Sequence, residues 1–452
     1  MVAGEGGALG DGVAGTGAEP PFPSPARAWS VLAILWIVTL FSQLDRQLPA
    51  LLVKPLKSSF GLADTQFSLL QGYGFALAYT IMGLPFGRLV DRANRRNLIL
   101  AGVLVWSGMT VCAAFAQSYP MLLLTRAGVG IGEAVLAPAA YSIIADYVPR
   151  ARRGRALAAY YVSLAIGSGA SLLIGGLLLG SITGPVAAGP LGVLAPWQLM
   201  FVLAGLPGLP LALMILLIRE PVRRERGAAE TASYGEFIRY LGRNRATFAR
   251  LLTYPAVLAA IGYGVLAWAP AYMDRRFGFP ASRAGVIVGV VVGLSGLLGT
   301  LLSGWLSDRW VGQGRPAARF RVTIVGWALI VPSASLWTMM PTPASALLVL
   351  GFAIFGFAVS QSSAPPTIQD AVPNGMRGKA IAVYLLLGGL LGIGLGPTSV
   401  ALLTDRVFRD EAMLGSSLIL VSLPASLLGL WLCWSGLRPY AETVARLRRD
   451  LV

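Results

Sequence analysis

The sequence contains no histidine at all. That absence removes a Ser-His-Asp triad, a histidine-ligated metal and an imidazole proton switch together. Cysteine is nearly as scarce. Cys112 and Cys433 stand far apart, each inside an apolar stretch, and read as small buried hydrophobes rather than as a disulfide or metal site. Charge is thin too: 12% of the residues are Asp, Glu, Lys or Arg, against roughly 25% in soluble domains, while 56% are hydrophobic. This is a membrane composition. An embedded hydrolase would need a nucleophile with its base, or a metal cluster, and the apolar stretches supply neither. No enzyme and no cofactor are expected.

Lysine is rare as well. Only Lys54, Lys57 and Lys379 are lysines among 36 basic residues, and this Arg- and Ala-rich usage suits a GC-rich bacterial source. The formal charge of +16 is spread in short runs between apolar segments, with no single basic face or arm. That pattern belongs to membrane topology, so the expected partner is a lipid bilayer and not nucleic acid. Residues 1–26 are mostly Gly, Ala and Pro with a few acids and no apolar run. They are expected to form a disordered leader, since a signal peptide needs a basic start and an apolar core.

What is present in quantity is apolar sequence. About twelve stretches reach the ~20 residues that cross a bilayer. They are 28–52, 65–87, 97–116, 119–145, 155–180 and 198–218, then 248–272, 283–306, 320–340, 344–367, 378–404 and 413–436. The Gly/Pro-rich stretch 180–197 has the least definite boundaries. With both termini inside, 27 basic residues fall in cytoplasmic segments and 7 in external loops. That bias sets the expected orientation.

Residues 219–250 form the longest polar interruption, and their second half suits a surface amphipathic helix. The expected organisation is a leader (1–26), a six-helix bundle (27–218), a cytoplasmic linker (219–247), a second six-helix bundle (248–437) and a cytoplasmic tail (438–452). The two sets echo each other. "GRLVDRANRR" at 87–96 follows the second span and "GWLSDRW" at 304–310 the eighth; "ADYVPRARRGRALAAYYV" at 145–162 follows the fourth and "QDAVPNGMRGKAIAVYLL" at 369–386 the tenth. Two matches in register point to a six-span duplication, common in secondary transporters.

These residues also carry a family resemblance. "GRLVDRANRRNLIL" resembles the loop signature of the major facilitator superfamily, G-x-L-x-D-R-x-G-R-[RK], through Gly87, Leu89, Asp91, Arg92, Arg95 and Arg96. Asn94 replaces the second glycine; it also tolerates left-handed backbone, so the turn is expected to survive. "RAGVGIGEA" at 126–134 is similar to the fourth-helix pattern R-x-x-x-G-x-G. With the Asp-Arg pair of the first span, Glu133 and "AIGSG" at 165–169, the first half resembles the Spinster branch. The resemblance implies an all-α integral membrane fold of about twelve helices in two pseudo-symmetric six-helix bundles.

It also implies a cytoplasmic gate, formed by Gly87, Asp91, Arg92, Arg95 and Arg96, in which Asp91 locks the halves and is released during the cycle. Asp308 is the truncated counterpart in the second half. The alternative for both acids is an exposed loop position. The glycines of the fifth span (Gly167, Gly169, Gly175 and Gly176) and of the eleventh (Gly388, Gly392 and Gly396) are spaced for close helix packing, and Pro207 and Pro397 are expected to kink their spans.

Within the spans lie two acids and two bases: Asp45, Glu133, Arg46 and Arg126, all in the first half. A charge at mid-membrane costs roughly 2.5–3.5 kcal/mol on insertion scales, so four retained charges imply pairing or function. At 1.5 Å per residue, Asp45 lies ~24 Å from the cytoplasmic edge, while Arg126 and Glu133 lie ~10 and ~21 Å below the outer edge. This suggests a vertical polar track, with Asp45 level with Arg126 and Glu133 deeper. Arg46 points about 100° away from Asp45 and reaches the cavity only if the helix rotation allows it. Were the first span to end at Leu44, both would be interfacial; the apolar continuation Leu48–Val53 and the resemblance argue for burial.

Without histidine, proton coupling must use a carboxylate, since burial and a neighbouring arginine push its protonation in opposite directions. Asp45 and Glu133 are the candidates, and Arg46 and Arg126 are counter-charges or anchors for an anionic headgroup. Tyr73, Tyr161, Tyr263, Trp268, Gln361 and Tyr384 could line a cavity, with core packing the alternative for each. The expectation is a monomeric, proton-coupled, alternating-access transporter in the bacterial cytoplasmic membrane, with both termini cytoplasmic. Spinster relatives are associated with lysophospholipids and sphingoid phosphates, so the implied substrate is a small molecule of lysolipid-like, amphiphilic kind or an organic anion. The alternatives are an uptake symporter for small organic acids and a multidrug efflux pump, although the fifth span lacks the G-P pair of drug antiporters. A sensor would need a soluble output domain.

Overall fold

Long apolar runs bounded by local caps decide the secondary structure, which in this computed structural model is almost wholly helical. Residues 22–187, 189, 192–223, 233–315 and 317–449 are described. Most of the expected leader and the middle of the linker lie outside them.

The first span is α1 (Pro25–Leu51), capped by Ser24 and followed by the short α2 (Val53–Phe60), which ends on Gly61 at φ 64°. The second span is built from α3 (Asp64–Gln71) and α4 (Tyr73–Arg92) and bends by 44° between Gly83 and Pro85. The third is α5 (Arg95–Ala113), and the fourth comprises α6 (Tyr119–Glu133) and α7 (Leu136–Tyr147). Then come α8 (Arg150–Ser181), a small antiparallel hairpin of β1 (Val186–Ala187) and β2 (Val193–Leu194), and a sixth span of α9 (Pro196–Gly205) and α10 (Gly208–Leu216). The break at Pro207 is the expected kink; proline there has no N–H for the preceding turn.

The linker helix α11 (Tyr234–Arg243) starts with a Ser233–Glu236 capping box, buries Phe237, and ties to the second half through the Tyr240 hydroxyl on the Ala371 carbonyl at 2.8 Å. The second half continues with α12 (Arg245–Phe277), α13 (Ala281–Gly312), α14 (Ala318–Leu336) and α15 (Pro343–Asp370). Its eleventh span joins α16 (Arg377–Leu387) to α17 (Gly396–Leu402) through a π-helical Gly388–Leu395 and ends in a π-helical Leu403–Phe408. At Pro397 the expected kink is instead a change of helix type, and the Pro397 carbonyl accepts from the Trp268 indole at 3.0 Å. The last span is α18 (Leu414–Arg449). Among the described residues ten segments are long and apolar enough to span; the bent second span adds one, and α8 takes the remaining place. The fold is all-α, in two six-helix bundles.

Asn94 keeps the signature turn by a different device from the one expected. Its φ is −68°, and its side chain caps α5 by accepting from the Asn97 N–H at 3.0 Å. The internal repeat has a structural echo. Asp146 at the end of the fourth span pairs with Arg95, and its counterpart Asp370 at the end of the tenth receives Arg319 at 2.6 Å.

The halves meet closely along α8 and α13. A Cβ added at Gly169 would lie 2.4 Å from the Gly293 nitrogen, and one at Gly176 2.6 Å from the Ser282 carbonyl oxygen, so only glycine allows this approach. Polar links between the halves gather on the distal face, opposite the termini. Arg275 of α12 donates both guanidinium nitrogens to Asp64 at 2.6 and 2.7 Å, Lys57 also pairs with Asp64, and Glu411 binds Lys57 at 2.6 Å and Arg275 at 3.1 Å. Asp405 accepts from the Thr65 N–H and hydroxyl at 2.6 and 2.7 Å. It thereby caps α3 from the other half, because Ala63 at the cap position has no side-chain oxygen. Among the described residues no ion pair joins the halves on the terminal face.

Candidate functional site

Ser42, Asp45 and Arg46 sit at i, i+3 and i+4 on α1, so one side of that helix carries all three toward its neighbours. Arg126 and Glu133 are two turns apart on α6, and Glu133 is the last residue before the helix breaks. Pro138 lacks the N–H that would bond the Ala134 carbonyl, which favours that break.

Asp45 and Arg126 are each 2% exposed and Glu133 1%, and α1 continues past Leu44 to Leu51, so Asp45 and Arg46 lie within the helix and not at its end. Arg46 Nε donates to Glu133 Oε2 at 2.6 Å, and the Ser42 hydroxyl donates to the same oxygen at 2.8 Å. The Arg46 guanidinium lies over the Phe75 and Tyr79 rings, 4.8 and 4.7 Å from their centroids. Those rings stack 5.3 Å apart, and Arg126 approaches Phe75 at 5.7 Å. Aromatic faces favour a desolvated cation, so this floor helps hold both arginines in an apolar setting.

The polar track is real, but its pairing differs from the expected one. Arg126 donates to the backbone carbonyl of Asp45 at 3.2 Å, while Asp45 Oδ1 is buried without a hydrogen-bond partner among the described residues. Arg46, whose access to the cavity depended on helix rotation, is the residue that meets Glu133. The reason is rotational: Ser42 and Arg46, about 40° apart on α1, both reach Glu133, while Asp45 lies about 100° round the helix from Arg46. Glu133 Oε1 and Arg126 Nε are also unpartnered among the described residues.

Both arginines line a pocket between the halves, with Gln47, Gln71 and Tyr263. Leu266, Ile393 and Pro397 of the second half close its other side. Sequence reasoning missed Ser42, Gln47, Gln71, Phe75 and Tyr79. The i, i+4 spacing of Phe75 with Tyr79, and of Ser42 with Arg46, was the available signal.

The other candidate side chains scatter. Tyr263 lines the pocket. Tyr73 packs beneath Gly394, where an added Cβ would meet its ring at 2.5 Å. Trp268 is wholly buried against Phe67 and bonded to Pro397, so it is a packing residue here and not cavity wall. Gln361 donates to the Tyr384 hydroxyl at 3.1 Å, within the second half. The Tyr161 side chain lies outside what is described. Of the signature loop, Gly87 has open space around it, and Asp91, Arg92 and Asp308 are exposed. Among the described residues the Arg96 side chain bonds to Asn97 alone. Arg95 instead is the buried hub, reaching Asp146, Ser142 and Glu220, while Arg223 of the linker caps the end of α4 through the Val90, Asp91 and Ala93 carbonyls.

Two six-helix bundles, a buried ionic cluster and a pocket between them define a multi-pass membrane transporter. The family model described as Major Facilitator Superfamily matches residues 35–397, and the chain belongs to that superfamily. An MFS-type efflux pump of Mycolicibacterium smegmatis is 30% identical over 437 residues, 95% of each chain. Protein spinster homolog 1 of Homo sapiens is 28% identical over 416 residues, covering 86% of this chain and 75% of that one. Among solved structures, a bacterial homolog to the human lysosomal transporter Spinster, in an inward-facing and unoccupied conformation, superposes with a TM-score of 0.77 at 25% identity, over 95% of this chain and 99% of that one.

Proposed function

We propose that this transporter is proton-coupled and works by alternating access, with Glu133 and Asp45 as the protonatable pair and an amphiphilic lipid-like molecule or organic anion as substrate. The observation that carries this reading is the buried Arg46–Glu133 pair, whose arginine lines a pocket shared by both halves. A proton taken up by Glu133 cancels its charge and frees the Arg46 guanidinium, beside Arg126, for an anionic group of the substrate; loss of the proton restores the ion pair. The unpartnered Asp45 oxygen offers a second protonation point in the same cluster.

The basic-residue bias supports cytoplasmic termini in a bacterial cytoplasmic membrane. The distal face is then external, and the conformation is closed outside through Asp64, Arg275, Lys57, Glu411 and Asp405. Asp91 and Asp308, exposed on the opposite face, would form the cytoplasmic gate once that face closes, with Gly87 allowing the approach. A multidrug efflux pump is the second reading, favoured by the name of the mycobacterial relative.

Purified protein in proteoliposomes tests the coupling, with an imposed pH gradient and a panel of lysolipids, organic acids and drugs. Gradient-driven accumulation by the parent and its loss in Glu133→Gln are the expected results. Full accumulation in both Glu133→Gln and Asp45→Asn would falsify the coupling.

A further inference from the structure

The pocket holds more polar groups than the ionic cluster uses. Gln47 of α1 and Gln71 of α3 are 5% and 8% exposed, and Tyr263 of α12 lines the same space. Gln71 Oε1 is buried without a hydrogen-bond partner among the described residues. Two orphans are of opposite kind: Arg126 Nε is a donor and Gln71 Oε1 an acceptor. Buried polar groups are almost always satisfied, so a guanidinium nitrogen and an amide oxygen left open at one pocket call for an occupant.

The donor and acceptor types narrow its chemistry. A bare carboxylate or fully ionised phosphate only accepts, and would leave a glutamine oxygen unsatisfied. An ammonium group would satisfy that oxygen but would face Arg46 and Arg126. Only a group that both accepts beside the arginines and donates beside the glutamines completes the set.

We propose that Gln47 and Gln71 are specificity-determining residues that select an anionic oxygen flanked by hydroxyls, as in a hydroxylated acid or a hydroxyl-bearing phosphate ester headgroup. The inference deepens the proposed function and rests on its reading of this pocket as the substrate site. Arg126 takes the anionic oxygen, and the two amides give and take hydrogen bonds with the hydroxyls.

Matched ligand pairs test it by binding to detergent-purified full-length protein: gluconate against hexanoate, and a lysophosphatidic acid against an alkyl phosphate of the same chain length. The parent is expected to bind the hydroxylated member about tenfold more tightly in at least one pair, as one to two hydrogen bonds provide. Gln47→Met and Gln71→Met, near in shape but apolar, should bring that ratio close to one and change affinity for the hydroxyl-free member by less than about twofold. The pair that discriminates tells a free acid from a lipid headgroup. Equal binding of both members by the parent overturns the proposal without recourse to any variant. So does an unchanged ratio in Met variants that melt at the parent temperature. Because binding is read without a gradient, failed proton coupling in proteoliposomes leaves this test standing.

Discussion

Arg46 Nε and Glu133 Oε2 are 2.6 Å apart, joining the first span to the fourth, and the Glu133 side chain has no exposure to solvent. Removing one member of such a buried pair strands the other charge, at a cost of about 3–5 kcal/mol. Arg46→Met alone is therefore expected to lower the melting temperature markedly, while Arg46→Met with Glu133→Gln recovers much of the loss. Thermal melts of the two single variants and the double would show a coupling of about 1–3 kcal/mol; strict additivity would contradict the pairing.

The same pair separates coupling from binding. In Glu133→Gln the position stays neutral whatever the pH, so gradient-driven accumulation should fall by about tenfold or more while substrate exchange at equal pH persists. Radiolabel counterflow beside gradient-driven uptake distinguishes the two activities.

The distal cluster predicts a shift between conformations. Asp64→Asn leaves Lys57 and Arg275 near each other without their buried anion, and Asp405→Asn weakens the cap on α3. Truncating such a partner costs about 2–5 kcal/mol, which is large for a two-state equilibrium. Spin labels at exposed Gln117 and Ala344, with Cys112→Ser and Cys433→Ala, report the distal separation. One short distance is expected in the parent, and a second, longer one in Asp64→Asn. High salt should favour the longer distance through the half-exposed Glu411.

Two glycines should respond in opposite ways. Gly169→Val places side-chain atoms in the backbone of Gly293 and should cost about 1–3 kcal/mol in this conformation, read as lower melting temperature or a longer distal distance. Gly87→Ala meets nothing within 4 Å and should leave stability within about 0.5 kcal/mol. If Gly87 serves the cytoplasmic gate, transport by Gly87→Ala still slows, because the closed terminal face needs the approach that this conformation does not show.

Much of the fold was legible because the information is local. Each span is a run of apolar residues with its own caps, such as Ser24 for α1, Ser118 for α6 and Thr342 for α15. The repeat was legible because the Asp146 and Asp370 segments keep the same words, and both acids meet an arginine of their own half. The role of Asn94 was misread because capping and left-handed turns draw on the same short side chain.

By itself, then, the sequence determined the membrane class, the span pattern and the presence of four charges where lipid is expected, since hydropathy and spacing along a helix need no partner to be read. Only the tertiary structure decided that Arg46 and not Arg126 holds Glu133, that Gln47 and Gln71 turn into the same pocket, and that Asp405 caps a helix of the opposite half. Those outcomes depend on how each helix is rotated about its axis and where it crosses its neighbours. Both are set by packing across the whole molecule, as at Gly169 against Gly293, and not by any stretch of sequence alone.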